Sequence, residues 1–333
     1  MVQRKMKVLM LTWADWANTG WRFSKCLETL GIDVTFYKGV KHHFDYPEQG
    51  KLRGGMYHRT ASVPCTVSDH GLKKEVIEAD VIHFIASTFV VTGADLRGKK
   101  VVVQHGGSTY RKNSLAYNKF FNQFIDATVI QSPDLLSLGA KNPTLIYYPV
   151  DTDFIKPKFK KVKDKLRIGH FPTAPLLKGT QKILPVVTEL SNVINYVGIK
   201  STVRDFLIPW KDNLERMGSC DVIIETMNAC DPEIRSGEWG NTALEAASLG
   251  KIVITNTLAK DVYEKEYGEL PLLIANDPGQ LKQRLEELLA MPPQELLDLS
   301  HKMRQWAESS HSIQATGKRL WNKIYKSFSN GCD

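Results

Sequence analysis

Short apolar runs rich in valine and isoleucine recur along the chain, and segments of helical length separate them. Such runs are typical of parallel strands buried on both faces, joined by crossover helices. The expected strands of the first half are Lys7–Thr12, Val34–Lys38, Val81–Ile85, Val101–Gln104, Thr128–Gln131 and Leu145–Tyr148. Those of the second half are Leu166–His170, Val193–Val197, Val222–Glu225, Ile252–Thr255 and Leu272–Ala275. This alternation of apolar runs and helical segments therefore predicts an α/β protein built on parallel sheets.

The length of 333 residues favours two domains of about 150 residues each. The segment YYPVDTDFIKPKFKKVKDK, with two prolines and a lysine run, lies between the two sets of strands and is the expected hinge. We place the first domain at residues 1–150 and the second at 151–310. Residues 311–333 are expected to form a helix that packs back on the first domain.

Two classes of protein are disfavoured by composition. No stretch approaches the roughly 18 uninterrupted apolar residues that span a bilayer, and the first residues show no signal-peptide pattern. The five cysteines are scattered without CxxC or Cys/His spacing, so neither a disulfide framework nor a zinc site is expected. These features favour a cytoplasmic protein with reduced thiols.

The formal charge of +8 indicates an anionic partner, which could be nucleic acid, an anionic membrane or a phosphorylated small molecule. The densest basic run, Lys156–Lys165, contains no ladder of aromatic residues and matches no nucleic-acid motif, so no nucleic-acid partner is expected. We favour a solvated linker. Peripheral contact with the inner face of an anionic membrane is the alternative, which sedimentation with acidic liposomes would test.

The most informative segment is SGEWGNTALEAASLGKIVIT, residues 236–255. It reads as a glycine-bearing loop, a helix start, a short helix and a buried strand. Backbone N–H groups at such a helix start can hold a phosphate, and Gly237 and Gly240 would let it approach closely. Glu245, one turn into the helix, could accept both hydroxyls of a ribose. Alternatively, Thr242 and Glu245 form a capping box with no ligand.

The same segment resembles the donor-site signature of retaining glycosyltransferases of the GT-B fold, especially the family-four group. In that group a loop of the form E-G-F-G precedes L-E-A-M-A-x-G-x-P-V-V, which residues 244–253 follow closely. The resemblance implies that Glu245 binds the nucleotide ribose. The first Glu of the family falls on Gly237, and the nearby acid, Glu238, is displaced by one residue. The expected donor-binding residues here are Glu238, Trp239, Gly240, Asn241, Thr242 and Glu245.

A second loop, after the first strand of the second domain, ends in Lys178-Gly179-Thr180. The lysine is a natural counter-charge for a diphosphate and resembles the family's K-G motif, in which it helps the nucleotide leave. The loop lacks the order of a Walker motif. The family often adds an arginine upstream, whereas His170 and Thr173 stand here, so Arg235 could supply that charge. We predict nucleotide contacts by Lys178 and Gly179 and a catalytic role for Lys178.

Two loops of the first domain also resemble the family. Gly20 lies between a strand and a helix, where the family's glycine-rich loop approaches the diphosphate. His105 begins an H-G-G-S run that resembles the loop beside the transferred sugar, and we predict a catalytic role for it; Arg111 is expected on the same wall. Three tryptophans near the first loop could stack on a sugar ring or fill the core: Trp13, Trp16 and Trp21.

Asp151-Thr-Asp153 matches the D-x-D metal signature of a different glycosyltransferase fold. It lies at the hinge with no other acidic cluster, so we interpret it as a turn and predict no metal site.

Taken over nearly the whole chain, the resemblance implies two Rossmann-like parallel-sheet domains of the GT-B type, facing an interdomain cleft. It implies transfer of a sugar, with retention of configuration, from a nucleotide-sugar such as a UDP- or GDP-sugar. The acceptor would be a carbohydrate, a lipid-linked molecule or another small molecule, and no cofactor is expected. Two alternatives stay open. A nucleotide-sugar epimerase of this fold would convert donor without acceptor, and a degenerate binding protein would transfer nothing.

Overall fold

The computed structural model describes residues 5–60, 63–160, 162, 164–202, 207–228 and 238–329. The chain divides into two compact units. The first contains the described residues of 1–42, 46–149 and 313–333, and the second contains those of 43–45 and 150–312. Each unit has its own parallel sheet with connecting helices, so the predicted α/β fold of two Rossmann-like domains is confirmed.

Seven parallel strands form the main sheet of the first unit, in the order β10-β9-β8-β6-β1-β2-β3. These strands are β1 Lys7–Ala14, β2 Asp33–Val40, β3 Lys51–Leu52, β6 Val81–Phe84, β8 Lys100–His105, β9 Ala127–Ile130 and β10 Pro143–Leu145. A small second sheet, in the order β4-β5-β7, contains β4 Tyr57–Thr60, β5 Thr66–Ser68 and β7 Phe89–Val91.

The helices of the first unit are α1 Thr19–Glu28, α2 Lys73–Glu78, α3 Gly107–Phe121, α10 Ile313–Leu320 and α11 Lys326–Ser329. Alternate residues of the strands face opposite sides of the sheet, as the two-residue period of a strand requires. Leu9 belongs to a core cluster that includes Tyr110 of α3. Its neighbour Val8 belongs to a different cluster, which includes Phe23 of α1 and Leu320 of α10. The sheet therefore has a hydrophobic core on each face.

The second unit has a five-stranded parallel sheet in the order β12-β11-β13-β14-β15. The strands are β11 Arg167–Gly169, β12 Asn195–Tyr196, β13 Val222–Ile224, β14 Ile252–Thr255 and β15 Leu273–Ile274. Its helices are α4 Thr180–Glu189, α5 Trp210–Gly218, α6 Asn241–Ser248, α7 Lys260–Tyr267, α8 Pro278–Ala290 and α9 Pro293–Trp306. After α9 the chain continues through a π-helical turn, Ala307–His311, and α10 begins at Ile313.

The segment between the two sets of strands is partly fixed to the second unit. The Lys158 amide donates to the Leu249 carbonyl, and the Lys158 carbonyl accepts from Lys251 Nζ. The lysine side chains at 156, 158 and 160 are exposed. Asp151 Oδ1 accepts from the amides of the two residues 153 and 154, so the D-x-D sequence forms the predicted turn. None of the helices in the described ranges is long and apolar enough to cross a membrane.

Candidate functional site

The loops with the strongest sequence signals leave the same edge of the second unit's sheet. β11 and β13 are neighbours in the sheet, and the strand order reverses between them, because β12 lies on the far side of β11. In open α/β sheets, ligands bind beyond the carboxyl ends of the strands at such a switch point. The loop after β11 carries Lys178, and the segment after β13 leads to α6 and Glu245. The topology thus brings both loops to one edge.

Lys178 forms an ion pair that the sequence did not indicate. Its ammonium contacts Glu225 Oε1, and the other carboxylate oxygen accepts from Thr255 Oγ1 at 3.1 Å. The Glu225 side chain is fully buried, whereas 28% of the Lys178 side chain is exposed. The positive end of the pair is therefore the one that a ligand can reach.

The backbone of the Lys178 loop is attached to the segment after β13. The Lys178 carbonyl accepts from the Met227 amide at 3.0 Å, and Asn228 Nδ2 donates to the Leu176 carbonyl. Gly179 precedes α4 with a φ of +76°, and a Cβ there would lie 3.0 Å from the Met227 carbonyl carbon. Only glycine fits this left-handed, close-packed position, which explains the residue after the lysine.

His170, which stands where the family often has its arginine, is a buried structural residue. Nδ1 donates to the Ile224 carbonyl at 2.8 Å, and Nε2 accepts from Thr180 Oγ1 at 2.9 Å. Burial lowers the pKa of His170 to about 4. Because the ring is neutral at pH 7, it supplies no charge to a diphosphate. Arg235, the alternative source of that charge, lies outside the described residues.

Glu245 is the fifth residue of α6 and is buried, with 5% of its surface exposed. The helix begins at Asn241 with Gly240 as its N-cap residue. Thr242 is thus the second helical residue and cannot cap the helix, so the capping-box alternative is wrong. Glu245 Oε1 instead accepts from the indole Nε1 of Trp210 at 2.8 Å. Asn241 and Thr242 are both half-buried at the helix start.

Two predicted donor-binding side chains are engaged in packing. Glu238 is 8% exposed, and its Oε1 accepts from the Leu258 amide at 3.0 Å. Trp239 is 1% exposed, and its ring packs edge-on against those of Tyr263 and Trp306. The Trp239 side chain therefore anchors the start of this segment in the core. The loop residues 229–237, Gly237 among them, lie outside the described part of the chain.

In the first unit, the amide of Gly20 is already bonded within the protein. Asp15 Oδ1 accepts from the Gly20 amide at 2.6 Å, and Oδ2 accepts from the Trp21 amide at 3.0 Å. Burial raises the pKa of Asp15 to about 6, and these hydrogen bonds oppose the rise. This carboxylate occupies the start of α1, where we expected the diphosphate to approach. A Cβ on Gly20 would also lie 2.7 Å from the Phe36 ring.

His105 is the last residue of β8 and is fully buried. Its ring stacks on Tyr110 with centroids 4.0 Å apart, and Nδ1 shares a 2.7 Å hydrogen bond with Ser87 Oγ. Burial lowers the pKa of His105 to about 3, so the ring is neutral. Nε2 is buried with no hydrogen-bond partner among the described residues. Arg111 forms an ion pair with Asp134 at 2.5 Å.

Unusual backbone geometry marks the switch point of the first sheet, between β1 and β6. Two consecutive non-glycine residues are left-handed after β1, and two more after β6: Ala17, Asn18, Ala86 and Ser87. Such strain is often found at functional sites. Trp16, in the first of these turns, is 61% exposed, whereas Trp21 is buried in the core and Trp13 packs edge-on against His58.

Sequence reasoning missed four residues of these arrangements. Glu225 had a detectable signal, because it ends an otherwise apolar strand, V-I-I-E. No sequence signal marks the other three residues, Trp210, Asp15 and Ser87. Each of them bonds to a residue that is distant in the sequence or lies across a turn. Among the described residues, no group of three His, Cys, Asp or Glu side chains could hold a metal ion.

Comparison with known proteins gives structural relatives only. No family model matches the chain, and no curated protein matches its sequence. Anabaena HepE, solved with UDP-glucose, is 12% identical with a TM-score of 0.63, covering 96% of this chain and all of that one. Sucrose-phosphate synthase from Thermosynechococcus elongatus is 13% identical with a TM-score of 0.60, covering 98% of this chain and all of that one. TarM is 8% identical with a TM-score of 0.62, and the match covers 96% of this chain and 99% of that one. The chain therefore has the two-domain fold found in these proteins.

Proposed function

We propose that the protein is a glycosyltransferase that moves a sugar from a nucleotide-sugar to a small acceptor with retention of configuration. The observation that carries the proposal is the edge of the second unit's sheet. At this topological switch point lie a partly exposed lysine, Lys178, and the segment after β13, which continues along the chain to α6 and its buried carboxylate, Glu245. These are the groups needed to hold a diphosphate and a ribose.

A UDP-sugar is the donor that we favour. Anabaena HepE shares the fold and was solved with UDP-glucose. In our proposal the ribose hydroxyls donate to Glu245, and the amides at the start of α6 approach the diphosphate. A thermal-shift panel of UDP, GDP, ADP, CMP and dTDP should give its largest shift with UDP, because a ligand that binds the folded state raises its apparent stability.

The acceptor side is assigned to the first unit. Trp16 presents an exposed ring at the switch point, where an acceptor ring could stack. His105 would act as a neutral hydrogen-bonding ring near the transferred sugar, once its buried Nε2 is reached. No protein nucleophile is proposed. The acceptor would attack on the face that the diphosphate leaves, and the protein would contribute positioning and stabilisation of the leaving group.

Glu245→Gln tests the proposed ribose contact. Gln can still accept from Trp210 Nε1, but it replaces one acceptor oxygen with a donor, which mismatches a diol that donates two hydrogen bonds. Charge-assisted hydrogen bonds contribute roughly 1.5–3 kcal/mol, so we expect a tenfold to hundredfold rise in the Kd for UDP and little change in melting temperature. Isothermal titration calorimetry measures the first and differential scanning fluorimetry the second.

Asp221→Asn is the matched control, because Asp221 is a buried carboxylate of the same unit that accepts from the Arg167 amide and lies before β13, at the opposite edge of the sheet. UDP affinity should stay within about threefold of that of the unaltered protein. Normal UDP binding by Glu245→Gln would show that Glu245 is structural and that the donor site has been placed wrongly.

We also propose that sugar transfer does not require a metal ion. The charge of the leaving diphosphate would be met by Lys178 and backbone amides, with no divalent ion bridging the phosphates. Release of UDP from UDP-glucose should therefore continue in excess EDTA. Complete loss of activity, restored by manganese or magnesium, would contradict this part of the proposal. UDP-glucose converted to another nucleotide-sugar without an acceptor would favour the epimerase instead.

A further inference from the structure

We propose that Glu225 is a positioning residue that holds the Lys178 ammonium where the diphosphate departs. The inference rests on the proposed function and adds to it a residue that the sequence signature does not include. Glu225 follows β13 at the switch-point edge, and its side chain is fully buried. It does not face solvent, so its effect on a ligand would pass through Lys178.

The carboxylate of Glu225 is held at both oxygens. One contacts the Lys178 ammonium, and the other accepts from Thr255 Oγ1 at the end of β14. A buried carboxylate without a counter-charge is strongly unfavourable, so the pair resists separation. Lys178 is therefore kept at one position on the sheet edge, although lysine is normally among the most flexible side chains.

The ion pair leaves Lys178 able to bind a ligand. An ammonium has three N–H donors, and among the described residues one is used by Glu225. The side chain is 28% exposed, so the remaining donors can reach phosphate oxygens. A charge fixed before the reaction stabilises a developing charge without the cost of reorganising at that moment. This is the role that we assign to the pair.

Hydrogen bonds to the backbone also connect the Lys178 loop to the segment after Glu225. The Lys178 carbonyl accepts from the Met227 amide, two residues after Glu225, and the Asn228 side chain donates to Leu176. The Lys178 loop and the segment after β13 are thus linked by hydrogen bonds of both the main chain and the side chains. A change at Glu225 is expected to act on the orientation of Lys178 rather than on the folding of the loop.

The ion pair also sets the charge that a bound nucleotide meets. Lys178 and Glu225 together carry no net charge, whereas in Glu225→Gln the same site carries one positive charge. Removing the carboxylate should strengthen binding of UDP in the ground state by electrostatics while releasing the ammonium from its position. Affinity and turnover should consequently move in opposite directions, which a purely structural role does not predict.

The test compares Glu225→Gln with the unaltered protein, using UDP binding by calorimetry and release of UDP from UDP-glucose with water as acceptor. We expect kcat to fall ten- to hundredfold and the Kd for UDP to stay equal or become several-fold lower. Glu225→Asp, which keeps the charge on a shorter side chain, should recover part of the lost kcat. Asp221→Asn, which alters a buried carboxylate at the other end of β13 that accepts from the Arg167 amide, should keep kcat within about threefold.

Melting temperatures test the coupling of Lys178 and Glu225 independently of activity, which matters if one variant folds poorly. Lys178→Ala leaves the buried carboxylate without its counter-charge, so its melting temperature should fall. The double variant Lys178→Ala/Glu225→Gln should recover most of that loss while remaining inactive. No recovery of melting temperature in the double variant would contradict the coupling of the two side chains.

Two results would overturn the positioning role: an unchanged kcat in Glu225→Gln, or a fall in kcat matched by an equal rise in the Kd for UDP. Either result in a protein that binds UDP and turns over UDP-glucose would refute this inference alone. An unaltered protein that neither binds UDP nor releases it from UDP-glucose would instead refute the proposed function.

Discussion

Replacing Lys178 with alanine is expected to lower kcat for UDP release from UDP-glucose about a hundred- to thousandfold. The magnitude is that of removing one preorganised charge or donor from a transition state. The charge on the leaving diphosphate grows as the sugar–phosphate bond breaks, so the lysine contributes more in the transition state than in the bound complex. The Kd for UDP-glucose should accordingly change less than tenfold. Steady-state kinetics with calorimetric binding separates the two effects.

Lys182→Ala is the matched control for this variant. Lys182 lies in the first turns of the same helix, α4, and is half-buried. Its removal should leave kcat within about threefold. The assays should be run well below the melting temperature of Lys178→Ala, because that variant also loses the partner of the buried Glu225. Equal losses in kcat and in affinity would mean that the lysine only binds the ground state.

The parallel sheets could be predicted because each strand has a strong local signal. Ile252–Thr255 was located without error, and the other central strands were located to within about three residues. Strands buried on both faces read as continuous apolar runs, which few other structures produce. The loop-to-helix transitions were found for the same reason, since glycine and the first-turn residues mark helix starts locally.

The short strands β3, β4, β5 and β7 were not predicted. β3 contains two residues, and both are exposed, so no hydrophobic period exists to detect. β5 pairs antiparallel with β4 and parallel with β7, which lies more than twenty residues further along the chain. Such strands form because a partner is present, and single-sequence patterns do not record the partner.

In the candidate site too, residues with a local sequence signal could be predicted, whereas contacts with distant residues could not. Lys178 and Glu245 were identified because each lies in a contiguous motif at a helix start. The contacts that hold them were not, because Glu225 is 47 residues from Lys178 and Trp210 is 35 residues from Glu245. The packing of the Trp239 side chain was not predicted either, since an aromatic residue beside a binding loop can equally be the residue that packs the loop onto the core.

Buried neutral histidines should make the protein sensitive to acid. Burial lowers the pKa of His83 and of His105 to about 3 and that of His170 to about 4. In the unfolded chain these rings titrate near 6.5. Between about pH 6.5 and pH 4 the unfolded state thus binds up to three protons that the folded state does not. Asp15 opposes this trend, because its folded pKa is about 6 and the folded state binds its proton first.

The free energy of unfolding should therefore fall as the pH is lowered from about 6 to about 4. Three protons favour the unfolded state and one favours the folded state, so a net difference of two protons gives a slope of roughly 3 kcal/mol per pH unit. Urea unfolding at pH 6.0, 5.5 and 5.0 measures this slope. His83→Gln, which removes a buried ring hydrogen-bonded to Tyr325, should reduce this slope by about half. A stability that is flat across this range, or a slope unaffected by His83→Gln, would mean that these rings are not held neutral by burial.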